Sequence, residues 1–156
     1  MFLEQYQLNM RHIKTFEEQP ILLCVTREEK PPNLPVWVIT VEGYPQWRRD
    51  SGRFPHTLRQ VREIMELDGW LLLCHASRVD VASFNRTAVL KNGRYGWVLS
   101  FDKRFDPRNN EQVLLLNPLN NTSAPATLAE QKDFLEKWSI YNGLRGNDSS
   151  VSKSQS

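Results

Sequence analysis

An Asn-Gly pair between two strand-like runs is the feature of this sequence that most constrains its fold. The run TAVLK precedes Asn92 and Gly93, and the run RYGWVLSF follows them. Asn-Gly suits the positive-φ positions of a tight hairpin turn, and the flanking runs alternate as strands do. We therefore predict an antiparallel hairpin, with Lys91 facing Arg94 beside the turn. Its core face is expected to carry Ala88, Leu90, Tyr95, Trp97, Leu99 and Phe101.

Further apolar runs predict the rest of a sheet. Strands are expected at 21–26, 36–42, 70–75, 79–81 and 113–117. Both faces of 36–42 are apolar, which is typical of a central strand. The prolines and charges between the first two runs cannot continue a strand and predict a connection there.

Three segments carry helical patterns. In 2–16, Leu3, Tyr6, Met10 and Ile13 recur at helical spacing. A second helix is expected after Thr57 as N-cap, with Leu58, Val61, Ile64 and Met65 on one face and a stop at Asp68-Gly69. A third begins at the capping box of Thr127 and Glu130 and stops at Asn142-Gly143. Its apolar stripe is Leu128, Phe134, Leu135, Trp138 and Tyr141.

The order of these elements predicts an α+β fold. A single mixed, mostly antiparallel sheet of five to seven strands would be packed by N-terminal, middle and C-terminal helices. The 156 residues suffice for one domain over 1–144, and the polar stretch 145–156 is expected to be a disordered tail. Regular βαβ alternation is missing, which argues against a doubly wound nucleotide-binding fold.

Composition and targeting signals set the expected compartment. No apolar run approaches the roughly 20 residues of a membrane span, and the N-terminus lacks a secretory pattern. We expect a cytoplasmic protein without membrane contact. Cys24 and Cys74 lie in apolar runs and are expected to be structural thiols. The formal net charge of +2 means that any binding of nucleic acid would need a local basic patch.

The sequence lacks the local motifs of the common enzyme classes. It contains no Walker loop, G-x-S-x-G, H-E-x-x-H or paired C-x-x-C. Cys74 and His75 are adjacent and would point to opposite faces of a strand, so we predict no metal site. No cofactor is predicted, and no catalytic residue is assigned.

A segment rich in arginine and aromatic residues, 44–62, is the candidate binding surface. It contains Arg48, Arg49, Arg53, Arg59 and Arg62, a single acid, Asp50, and the interleaved rings of Tyr44, Trp47 and Phe54. Arg59 and Arg62 each have a glutamate four residues on, so local ion pairs can balance them. The other three arginines remain for an acidic or phosphorylated partner, because guanidinium groups recognise carboxylate and phosphate alike.

Three functions use this segment, and a simply hydrated loop is the neutral alternative. The first is a non-catalytic protein-binding module, such as an adaptor, inhibitor or immunity-like regulatory protein. Trp47 would anchor an acidic partner with Arg48, Arg49 and Arg53, unless Trp47 folds back as a lid on the sheet.

The second function is RNA or DNA binding by the same loop with Lys91 and Arg94. The third is a small enzyme or binder for an anionic small molecule, with His56 as the candidate base.

Overall fold

The chain folds into two antiparallel sheets and two long helices in a computed structural model that describes residues 2–31, 34–83, 93–120 and 124–150. The elements are β1 Phe2–His12, β2 Glu18–Lys30, β3 Leu34–Val41, β4 Arg49–Ser51, α1 Phe54–Leu67, β5 Trp70–Leu73, β6 Val81–Ala82, β7 Tyr95–Val98, β8 Gln112–Leu114 and α2 Leu128–Ser150. Short 3₁₀ turns cover Pro45–Trp47 and His75–Ser77. The predicted α+β class and antiparallel pairing are confirmed.

The strands are divided between two sheets rather than joined in the single sheet that we predicted. The larger sheet has five strands in the order β4-β3-β2-β1-β5, and the smaller has three in the order β6-β7-β8. None of the helices within the described ranges is long and apolar enough to cross a membrane.

The N-terminal segment is a strand, so the predicted helix over 2–16 is wrong. Leu8 and Met10 are buried and Tyr6 is half-buried, whereas the intervening Gln7 and Asn9 are exposed. This alternation is the period of a strand with one face on a core. The helical spacing of Leu3, Tyr6, Met10 and Ile13 left out Leu8, and pairing with both β2 and β5 decides between the two patterns.

The predicted strands at 21–26 and 36–42 are confirmed, and both extend into the connection between them. β2 and β3 pair from Leu23 with Val41 to Lys30 with Leu34. β3 lies between β2 and β4, and Trp37, Val38 and Ile39 are all buried. The expectation that both faces of this strand are covered is therefore confirmed.

Helix α1 packs its predicted face on the larger sheet. Leu58, Val61 and Met65 are at most 2% exposed, and the helix ends at Asp68 and Gly69, whose φ is +93°. The predicted N-cap is wrong, because α1 begins at Phe54. Pro55 is well suited to the first turn of a helix. Thr57 lies inside that turn, where its hydroxyl contacts the Arg53 carbonyl at 3.1 Å.

The predicted hairpin at Asn92-Gly93 is described only in its second half. Residues 84–92, including Lys91, lie outside the described ranges. β7 pairs with β6 and with β8, and Trp97 and Leu99 are buried as predicted. Phe101 is 39% exposed, so the expected core face ends before it.

Helix α2 begins at the predicted capping box but continues beyond the predicted stop. The backbone N–H of Thr127 donates to Glu130 Oε1 at 2.8 Å, and the N–H of Glu130 donates to Thr127 Oγ1 at 3.1 Å. Trp138 is buried against Trp97 and Leu99, in the predicted stripe.

The stop at Asn142-Gly143 is wrong because the helix runs to Ser150. Asn142 Oδ1 accepts a bond from the Phe105 N–H at 3.0 Å instead of helping to end the helix. Residues 145–150 of the expected tail are therefore helical, and 151–156 lie outside the described ranges.

Candidate functional site

Trp47, the candidate anchor for a partner, is part of the protein core. Its side chain is 1% exposed, and its ring stacks on Tyr44 with centroids 4.1 Å apart and an interplanar angle of 5°. The indole Nε1–H donates to Asp68 Oδ2 at 2.6 Å, which joins the loop to the end of α1. This geometry matches the alternative in which Trp47 folds back onto the core. A partner could reach Trp47 only after the loop had moved.

The loop arginines are partly engaged by their own surroundings. Arg48 Nη1 lies 3.2 Å from Asp50 Oδ2, in an ion pair that leaves about half of each side chain exposed. Arg49 Nη1 donates to the carbonyl oxygens of Gln46 and Arg48, at 3.1 and 2.7 Å. Arg53 is exposed next to the start of α1. These side chains remain near the surface, but the structure separates them from the buried Trp47 ring.

Arg94 is held inside the larger core rather than presented at a hairpin tip. Its guanidinium lies 4.4 Å from the centre of the Phe54 ring and 2.6 Å from Glu4 Oε1, and it also contacts the Tyr6 hydroxyl. Burial opposes ionisation of Glu4, but hydrogen bonds from Tyr6 and Arg94 outweigh it and lower the Glu4 pKa. Arg94 therefore has structural partners. Lys91, predicted to face Arg94, lies outside the described residues.

A cavity of about 460 Å³ lies between α1, the smaller sheet and α2. We call it the basic cleft. Apolar side chains from all three elements form its floor, among them Leu58, Val81, Leu99, Leu115, Phe134 and Leu135. The polar side chains around it are Arg53, His56, Arg59, Arg62, Ser83, Gln131, Lys132 and Glu136. Two residues of the predicted site, Arg53 and His56, thus meet residues of α2 that the sequence does not place beside them.

The basic cleft carries an excess of positive charge. Arg53, Arg59, Arg62 and Lys132 line it, and Glu136 is the one carboxylate among the lining residues that the structure describes. Except for Arg62, these charged side chains are exposed, so they form a rim that solvent or a ligand can reach. A concave site with an apolar floor and a few converging polar groups is typical of ligand sites.

Arg62 lies deepest of the basic residues, at 5% exposure. Its Nη1 donates to the Ala76 carbonyl at 2.8 Å and to Gln131 Oε1 at 2.7 Å, and its Nη2 donates to the Ala126 carbonyl at 3.2 Å. Its Nε–H has no acceptor among the residues that the structure describes. This nitrogen is itself buried from solvent, so it is an unpaired donor inside the protein, which is unusual because buried N–H groups are nearly always paired.

Glu66, the predicted partner of Arg62, neutralises it only in part. The two side chains approach to 3.6 Å, while both Glu66 oxygens accept from the Leu128 N–H at the start of α2. Burial raises the Glu66 pKa, and burial also lowers the pKa of Arg62. The predicted ion pair exists, but it lies inside the protein, where it ties α1 to α2.

Among the described residues around the cleft, no hydrogen bond joins a nucleophilic side chain to a base. In the described part of the chain, His56 is exposed and no carboxylate is hydrogen-bonded to orient it. Cys74 is fully buried outside the cleft, and burial raises the pKa of its thiol, which suits a structural role. No group of three or more His, Cys, Asp or Glu side chains within the described ranges could hold a metal ion.

Arg62 and Gln131 are two of the cleft residues that the sequence analysis did not assign to the candidate site. Arg62 follows Leu58 by four residues and precedes Met65 by three, so its position coincides with the buried stripe of α1. That spacing indicates a buried position, but the sequence analysis assigned Arg62 to a local ion pair with Glu66 instead. Gln131 carries no such signal, because its contacts with Ala76 and Arg78 depend on how α2 packs.

Comparisons with known proteins give no relative from which to transfer a function: no family model matches the chain, and no curated protein matches it. Function is therefore inferred from the geometry and charge of the basic cleft.

Proposed function

We propose that this protein is a non-catalytic binding module whose basic cleft receives an acidic segment of a partner protein. The observation that carries the proposal is the set of four basic side chains, balanced by a single lining carboxylate, around an apolar floor. Such a surface attracts acidic chains at long range and retains those that also bring an apolar side chain. An adaptor, inhibitor or immunity-like regulatory protein would act in this way.

The size of the cleft supports a peptide segment as its occupant. Its volume of about 460 Å³ lies within the range of small-ligand sites and can hold a few side chains. Arg53 and His56 keep the binding role expected from the sequence, while Trp47 supports the loop from within. Arg48 and Arg49 precede Arg53 in the chain, with Arg49 at the start of β4, and neither of them lines the cleft.

The burial of the aromatic rings disfavours nucleic acid as the ligand. Single-stranded nucleic acid binds where bases can stack on exposed rings beside basic groups. Trp47 and Phe54, two of the rings expected to provide such faces, are each 1% exposed. Nucleic acid remains an outcome that the experiment separates from the proposal.

The test compares charge reversals inside and outside the cleft. Arg59→Glu with Lys132→Glu reverses two exposed lining charges, and Lys103→Glu with Arg104→Glu is the matched control, because it reverses two exposed charges that do not line the cleft. Tagged wild-type and variant proteins are used to capture partners from the native cell, with and without nuclease. Affinity for each captured protein is then measured with purified components.

We expect one nuclease-resistant partner whose dissociation constant rises by about tenfold or more in the cleft variant and stays within about twofold in the control. Equal affinity of the two variants would remove the cleft from the interface. If partners are recovered only when nuclease is omitted, the protein binds nucleic acid and the proposal is wrong.

A further inference from the structure

We infer that the outer face of the larger sheet is a dimer interface, through which two copies of this chain pack sheet against sheet. We call this surface the uncharged face. Its side chains are Leu3, Gln5, Gln7 and Asn9 from β1, Pro20, Leu22, Cys24 and Thr26 from β2, and Thr40 from β3. None of them lines the basic cleft, so this inference is independent of the proposed binding function.

The uncharged face lies on the side of the sheet away from α1. Successive side chains of a strand point to opposite faces of the sheet. On β2, Leu23 and Val25 are buried in the core that includes Val61 of α1, whereas Cys24 between them is only half-buried. On β1 the outward side chains are exposed, and Leu3 exposes 60% of its surface. In a single copy this face is therefore open to solvent.

Charged side chains on this side of the sheet lie around the uncharged face, in the part of the chain that the structure describes. At one end of the pairing between β1 and β2, Arg11 Nη2 lies 3.0 Å from Glu18 Oε2. Beside β3, Asp50 of β4 forms its ion pair with Arg48, and Glu28 continues β2 beyond the face. A centre without charges inside a charged rim is the anatomy of a protein interface.

The chemistry of the centre suits a second copy of the same chain. A two-fold interface places one patch against itself, so a carboxylate or a guanidinium would meet its own like charge. An amide or a hydroxyl both donates and accepts hydrogen bonds and can pair with its own kind. Such groups are carried by Gln5, Gln7, Asn9, Thr26 and Thr40. The rim adds charges of both signs, so a second copy also brings a partner for each sign.

The uncharged face and its rim are large enough for a weak dimer. β1 and β2 pair from Phe2 to Arg11, which is roughly 34 Å, and together with β3 they make a surface roughly 15 Å wide. Each copy can thus bury on the order of 500 Å², or about 1,000 Å² in total, which is the lower limit for a specific interface. We therefore expect a reversible dimer with a dissociation constant in the micromolar range.

The experiment measures the monomer–dimer equilibrium of the full chain by sedimentation equilibrium, from about 1 to 500 µM protein. Gln5→Lys and Gln5→Glu each place one charge on an exposed side chain of the uncharged face. Ser139→Lys and Ser139→Glu are the matched controls, because Ser139 is exposed on α2. Far-UV circular dichroism checks that each variant is folded. If one of the Gln5 variants does not fold, the other tests the same point, since either charge is repeated on the second copy.

We expect the dissociation constant of the dimer to rise by about tenfold or more in both Gln5 variants and to stay within about twofold in both controls. A chain that remains monomeric up to about 500 µM would show that the inference is wrong. A dimer that the Gln5 variants weaken no more than the controls uses another surface, which also overturns it. An effect of only one sign of charge indicates a charged surface opposite Gln5, and this outcome contradicts packing of the face on itself.

The Cys24 thiol gives a second readout from within the face. Cys24 is half-buried in a single copy, so it can react with a thiol reagent in the monomer. Its rate constant should fall as the protein concentration passes the dissociation constant, and it should stay unchanged over the same range in Gln5→Lys. A constant rate in samples that sedimentation shows to be dimeric would place the dimer interface elsewhere.

The two proposals can fail separately. The cleft charge-reversal variant, Arg59→Glu with Lys132→Glu, should dimerise as the wild type does. The monomeric Gln5→Lys variant should still bind a partner captured through the basic cleft. Failure at one surface therefore leaves the proposal for the other surface in place.

Discussion

Replacing Trp47 with phenylalanine tests whether this residue supports the fold rather than a partner. The change removes the bond of 2.6 Å from the indole Nε1–H to Asp68 Oδ2 and leaves an aromatic ring that can still stack on Tyr44. A hydrogen bond to a charged group contributes about 1.5–3 kcal/mol to stability. Asp68 is exposed and can be rehydrated, which favours the lower end of that range. The lost bond and the smaller ring together should lower the free energy of unfolding by about 2 kcal/mol.

Urea unfolding, followed by far-UV circular dichroism, measures this loss. With a slope of about 2 kcal/mol per molar urea, the midpoint should fall by about 1 M. Asp68→Ala and the double variant complete a thermodynamic cycle, and the coupling between the two positions should be about 1 kcal/mol or more. A single or double variant that unfolds at the wild-type midpoint would contradict the bond.

Binding provides the second half of the test. Trp47→Phe should keep the wild-type affinity for a partner captured through the basic cleft, because Trp47 does not line the cleft. Wild-type stability combined with lost affinity would refute the reasoning and restore Trp47 as a surface anchor.

Three further predictions concern the core, the thiols and α2. Gly96→Ala should destabilise the protein by about 1–3 kcal/mol in urea unfolding, because the new Cβ would lie 2.7 Å from a Leu115 side-chain carbon; a neutral effect would contradict this packing. Cys24 should react with a thiol reagent in the folded state, while Cys74, fully buried and with a raised pKa, reacts only on unfolding. Fast reaction of both thiols would contradict that burial. Thr127→Ala should lower the free energy of unfolding by about 1 kcal/mol, whereas Thr127→Ser, which keeps the hydroxyl, should remain close to the wild type.

The parts of the fold that could be predicted are those set by interactions between residues close in the sequence. The capping box at Thr127 and Glu130 uses two backbone donors and two side chains within four residues. It therefore depends on local sequence and not on how the helix packs. α1 ends at Leu67, and Gly69, two residues on, adopts the positive φ that glycine tolerates after a helix. By contrast, the apolar residues of 2–16 fit two periods, and only pairing with β2 and β5 selects the strand.

The site was harder to predict because its parts come from distant segments. Arg53 and His56 were chosen for their sequence context, but their neighbours Gln131 and Lys132 come from α2 at the other end of the chain. Burial also reversed the expected roles of two residues. Trp47 is a core residue, and Arg62, expected only in a local ion pair with Glu66, is a buried cation beside the cleft. Local patterns carry no information about such packing.

The position of β1 inside the larger sheet has a consequence for the order of folding. β1, β2 and β3 follow one another in the sequence, and each pairs with the next. β5 comes after α1 in the sequence and pairs with β1 through residues such as Asn9 and Leu73. Closing a longer loop costs more chain entropy, so these three strands can form first and β5 joins last. During synthesis, one edge of β1 would stay open until residue 73 had left the ribosome. Unpaired strand edges promote aggregation, so this interval is when the nascent chain most needs protection.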